Sequence, residues 1–189
     1  MNIDLLLLAR QGLLFAHLLA FALAISAVLR TDLALLRAGG IELRRIEAAA
    51  RLLSRALAAL WASGLLLVLC DAAAAGAAWA FSDKLQAKLI VVLALSANGA
   101  ALHRWVLPPL RRSGVALVQP FAPVLIGAFS TASWLYASFV GVSRVVAPVL
   151  SLADYLLLYG AALAAALAVA LAYVRPRLAG FSQRPRAAP

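Results

Sequence analysis

Five stretches of about twenty apolar residues, separated by short charged segments, constrain this chain more than any other feature. They lie at about residues 5–29, 52–69, 85–107, 120–142 and 145–174. At a rise of about 1.5 Å per residue, a helix of that length crosses the ~30 Å hydrocarbon core of a bilayer. No alternating segments of about ten residues recur, as a membrane β-barrel would need. Composition agrees with lipid rather than water as the solvent. The chain is 66% hydrophobic and 13% charged, against roughly half and a quarter in soluble domains, and its mean hydropathy is +0.99. These features predict an all-α integral membrane bundle of five transmembrane helices. Residues 1–178 then form one domain, and 179–189 a disordered cytoplasmic tail. The N-terminus lacks a basic segment and its apolar run is too long for a signal peptide, so the first run is predicted to be a retained span.

The placement of charge orients the bundle. The formal net charge is +10. The basic residues lie in the short segments between apolar runs, and no basic face carries interleaved aromatics, which excludes nucleic acid as a partner. Arg30, Arg37, Arg44, Arg45, Arg51 and Arg55 lie between runs one and two. Arg104, Arg111 and Arg112 lie between three and four, and Arg175, Arg177, Arg184 and Arg186 follow run five. Only Arg10, Lys84, Lys88 and Arg144 fall on the other side. Positive charge stays cytoplasmic, which predicts the N-terminus outside, the C-terminus in the cytoplasm, and a multi-pass location in a bacterial inner membrane. Residues 31–55 form the largest cytoplasmic segment. It breaks at Gly39-Gly40 and then resumes helical spacing into run two, giving an interfacial helix or a docking surface for a protein partner.

Polar groups inside apolar runs are costly, so each calls for a reason. Arg10 and His17 are seven residues apart and share a helical face. Arg10 calls for a carboxylate, and Asp71 and Asp154, both near outer ends, are the candidates. Run three carries Lys88, Asn98 and His103, with Lys88 and Asn98 close to three turns apart. Asn98 can hydrogen-bond across helices, and Gly99 permits close approach. His17 and His103 on different spans could clamp a haem b iron or a transition metal. By helical rise their depths differ by roughly 9 Å. Soft Cu(I) favours Cys and Met, of which the chain has Cys70 and Met1 alone. In run four, Gly127, Thr131, Trp134, Ser138 and Gly141 recur at helical spacing, a pattern of close helix packing. No nucleophile elbow, phosphate loop, paired intramembrane carboxylate or zinc motif occurs, so no conventional enzyme is expected.

The region from Leu57 to Leu110 runs Ser63-Gly64, then Lys88, Asn98-Gly99, His103-Arg104 and Leu107-Pro108. It resembles the membrane domain of the bacterial copper resistance D family. With His17 and Thr31-Asp32 included, it is similar to a related group of uncharacterised five-span bacterial membrane proteins. The resemblance implies a helical membrane domain with a role in copper handling. Three functional expectations result. One is a non-enzymatic membrane component, copper-resistance-D-like, binding metal or haem through His17 and His103. A second is a small transporter or permeation protein using Arg10, Lys88 and Asn98. A third is an assembly subunit that contacts a larger complex through residues 31–55.

Overall fold

In a computed structural model, the described residues are 5–38, 43–75, 82–113, 121–174 and 176. The Gly39-Gly40 break and the tail 179–189 lie outside them. Among the described residues there is no strand. The elements are α1 (Leu5–Ala38), α2 (Leu43–Ala75), α3 (Asp83–Ala101), α4 (Leu107–Ser113), α5 (Phe121–Val142) and α6 (Leu152–Val169). A π-helical turn at Leu102–Val106 joins α3 to α4, and a second, Ala170–Val174, extends α6. Five helices are long and apolar enough to cross a membrane, with α3, the π turn and α4 counting as one. Only 11% to 33% of their most apolar stretches is buried inside the bundle, so the rest is left for lipid.

Several ends differ from the sequence expectation: the second helix extends past both ends of residues 52–69, to Leu43 and Ala75, and three other ends differ for a local reason. The first helix does not stop near residue 29. Beyond Arg30-Thr31-Asp32 the apolar pattern resumes at Leu33-Ala34, and α1 continues to Ala38. The third rod does not end at Pro108-Pro109. A proline ring clashes with the carbonyl four residues back. The wider π turn immediately before Pro108 relieves that clash, and the helix runs on to Ser113. The fifth span starts at Leu152 rather than 145. Ser151 caps it in a reciprocal box: its Oγ accepts from the Asp154 amide, and the Asp154 carboxylate accepts from the Ser151 amide at 2.9 Å. Residues 143–149 form turns.

The core is built from small and aromatic side chains. Ala24 and Val28 of α1, Ala56 and Leu60 of α2, and Ala87, Val91 and Leu95 of α3 meet Trp134, Tyr136 and Val140 of α5 and Tyr155 and Tyr159 of α6. Phe21 packs on Trp134 with ring centroids 5.6 Å apart, which carries α1 onto α5. Between α5 and α6, Tyr136 stacks on Tyr159 at 5.0 Å. The Tyr136 hydroxyl donates to the Tyr155 carbonyl at 2.5 Å, and Ser133 and Tyr159 hydroxyls lie 2.7 Å apart. Trp61 of α2 donates to Ser96 of α3 at 3.0 Å.

Serine and threonine hydroxyls that make interhelical contacts have a second partner. Ser54, Ser63, Ser96, Thr131 and Ser133 each also bond the carbonyl four residues back in their own helix. This is the usual way a helix interior accommodates Ser and Thr.

Candidate functional site

The polar residues inside the spans fall into separate places. At one end, Arg10 reaches Asp71 across α1 and α2, with Nε 2.5 Å from Oδ1 and a second guanidinium nitrogen 3.3 Å from Oδ2. Asp71 is therefore the carboxylate that Arg10 calls for. Asp154 is not: its Oδ2 accepts from both the amide and the hydroxyl of Ser151 in the cap. Lys88 is exposed, at the end of α3 where Lys84, Arg144 and Asp71 lie within electrostatic range. Asn98 does not share a site with it; the Asn98 amide donates to the Ile126 carbonyl at 3.3 Å and ties α3 to α5.

The two histidines are not brought together. His17 Nδ1 lies 2.8 Å from Ser63 Oγ, with its ring over Gly64. His103 sits in the π turn, exposed, with Nε2 3.1 Å from Ser54 Oγ. Each serine commits its proton to its own helix, at Ala59 and Ala50 respectively, so each histidine nitrogen is the donor. Ser54 and Ser63 are nine residues apart, which is two and a half turns and roughly 13 Å along α2. They face opposite ways, and α2 stands between the histidines. The residues present do not fit a haem or metal clamped by this pair. Among the described residues, no three His, Cys, Asp or Glu side chains gather as a metal site.

What the bundle does form is a groove of 820 Å³ between α1, α5 and α6, reaching α2 and α3. Along α5 it runs from Val124 to Phe139, roughly 22 Å by helical rise. Its walls are mainly apolar, with Ala162, Ala165 and Ala166 of α6 leaving room opposite Leu135 and Phe139. Asp32 lines it. The Asp32 carboxylate accepts a hydrogen bond from the Thr131 hydroxyl. Thr131 lies two residues from the centre of the span Val124–Val142, and Asp32 two residues from the end of the span Leu5–Ala34.

No known family, curated protein or solved structure matches this chain.

The site therefore rests on its own chemistry. An ionisable side chain that lines an apolar groove between spans is a candidate for function. By hydropathy alone Asp32 falls just after the first span, and by residue spacing Thr131 falls in a packing stripe. The signal for their meeting is the apolar Leu33-Ala34 after Asp32, which shows the helix continuing past the charge. Nothing in the sequence shows which helix Asp32 faces.

Proposed function

We propose that this chain is a non-enzymatic ligand-binding protein of a bacterial inner membrane, of the small transporter or permeation class, with its site in the groove at Asp32. The observation that carries the reading is the groove: 820 Å³ of mainly apolar space holding one carboxylate, Asp32, near the end of the first span. Small-molecule sites typically measure about 300–1,000 Å³, with apolar walls and few polar groups. Thirteen of the 17 basic residues fall on one side of the predicted spans, which supports an outside N-terminus and a cytoplasmic C-terminus. Arg10 and Asn98 hold helices together, so the polar residue doing the binding is Asp32. A copper-handling role would need ligands gathered elsewhere than at His17 and His103.

The test is binding by the full chain in phosphatidylglycerol nanodiscs. The fluorescent probe 10-(dansylamino)decan-1-ol is expected to bind saturably, one per chain, above the signal of empty discs. Ala166→Trp, which fills the groove from α6, is expected to abolish that binding. A signal that never saturates and matches empty discs overturns the proposal.

A second reading has its own support. Helices α1 and α2 have 34 and 33 residues, well beyond the roughly 20 that a bilayer requires. The excess carries exposed Arg44, Arg51 and Arg55, a surface suited to an acidic partner. Co-purification with a larger complex, lost in an Arg51→Gln, Arg55→Gln variant, is the expected result for that role.

A further inference from the structure

We infer that the groove takes an elongated lipophilic ammonium, its charged nitrogen paired with the Asp32 carboxylate and its apolar body lying along α5 and α6. This rests on the groove being a ligand site and names the class of ligand.

The carboxylate is short of partners. Oδ2 accepts from Thr131, whose single proton is shared with the Gly127 carbonyl at 3.1 Å. Oδ1 accepts no hydrogen bond from the described residues. The nearest basic residue in sequence, Arg30, turns back to the Ser26 carbonyl of its own helix at 3.1 Å. Among the described residues no ion pair includes Asp32. A carboxylate taken from water costs several kcal/mol unless a cation and hydrogen bonds replace the water. No fully buried side-chain oxygen or nitrogen lacks a partner among the described residues. The free oxygen therefore opens onto accessible space, and Asp32 lines the groove.

Size and lining decide between kinds of cation. A bare metal ion wants about six oxygens at close range, and would occupy a small part of 820 Å³. Around Asp32 the polar lining is sparse: Thr31 donates to the Ala27 carbonyl at 2.8 Å, Thr131 is engaged as above, and Ser130 adds one further hydroxyl, well short of six oxygens. Beyond them the walls are Leu135, Phe139, Ala162, Ala166 and the ring of Tyr136. That lining suits hydrocarbon of roughly 20 Å length. An N–H-bearing ammonium on such a body meets both demands: a charge-assisted hydrogen bond at Asp32 and burial of the chain. The same chemistry is found in a soluble lipophilic amine and in a phosphatidylethanolamine headgroup.

Two probes that share dye and chain test this: N-dansyl-1,10-diaminodecane, which ends in an ammonium, and 10-(dansylamino)decan-1-ol. With the full chain in phosphatidylglycerol nanodiscs, and empty discs subtracted, the amine is expected to bind about tenfold or more tighter than the alcohol. Asp32→Asn is expected to reduce amine affinity to that of the alcohol and leave alcohol affinity unchanged, at an unchanged thermal midpoint. Should Asp32→Asn fail to fold, the selectivity of the unmodified chain still decides. Equal affinity for the two probes, or amine affinity within twofold in Asp32→Asn, overturns the inference while leaving a binding groove. If neither probe saturates, the groove itself is not a site and both readings fail. Once amine selectivity is established, discs containing phosphatidylethanolamine separate the sources: displacement of the probe marks the lipid headgroup, and retention marks a soluble amine.

Discussion

His17 and His103 bond opposite faces of one helix, through Ser63 and Ser54 of α2. Each imidazole thus braces a neighbour against α2: α1 on one side and the π turn after α3 on the other. Neither the shared helix nor the roughly 13 Å between the serines leaves a common point for one ion.

The purified chain titrated with haemin is therefore expected to give no stoichiometric low-spin spectrum of the kind produced by two axial histidines. Single His17→Ala and His103→Ala variants are expected to change that titration no more than each other. A one-to-one Soret complex lost in both variants contradicts the geometry.

Arg10 and Asp71 make a two-point contact, with Arg10 side-chain exposure of 37% and Asp71 of 14%. Because Arg10 is partly solvated, the coupling is expected to be modest, about 1–2 kcal/mol. A double-mutant cycle with Arg10→Gln and Asp71→Asn, read from thermal midpoints in detergent, measures it. Additive effects of the two substitutions show that the contact contributes nothing.

Tyr136 has two separable roles. Its ring stacks on Tyr159, and its hydroxyl bonds the Tyr155 carbonyl. Tyr136→Phe keeps the ring and is expected to cost roughly 0.6–1.5 kcal/mol, the range for hydrogen bonds between membrane helices and in water. Tyr136→Ala opens a cavity in the α5–α6 contact and is expected to cost roughly 3–5 kcal/mol. Equal losses on thermal melting place the stability in the hydroxyl rather than in packing.

Orientation is open to chemical labelling. With Cys70→Ala as background, Ser82→Cys and Ala48→Cys put single thiols at exposed positions beside opposite ends of α2. A membrane-impermeant maleimide is expected to label Ser82→Cys in intact bacterial cells and Ala48→Cys only after the membrane is opened. The reverse pattern inverts the topology.

The five helices were legible because hydropathy sums over twenty residues, so single exceptions such as Arg10 or Asn98 do not erase the signal. Their ends were not, because an end is decided by one or two residues. Ser151 and Asp154 start α6 through a cap that also removes Asp154 from the partners open to Arg10. Pro108 reads as a stop, yet the π turn before it carries the helix through. Depth along a helix gave Arg10 its carboxylate, since Asp71 stands at the same end of the next span. Depth alone failed for the histidines and for Asp32, where the direction a residue faces around the axis decides the partner. That direction depends on which helices are neighbours, a property of the assembled bundle.

The serines and Thr131 that link the helices also bond carbonyls within their own helices. Each hydroxyl is then already satisfied while its helix stands alone in lipid, before any neighbour arrives. Spans can enter the bilayer one at a time without stranding these hydroxyl protons, and a neighbour that arrives afterwards adds a bond to an oxygen already in use. The small hydroxyls that help specify which helices pair thus place little barrier before insertion, and for them assembly becomes a search among helices already inserted.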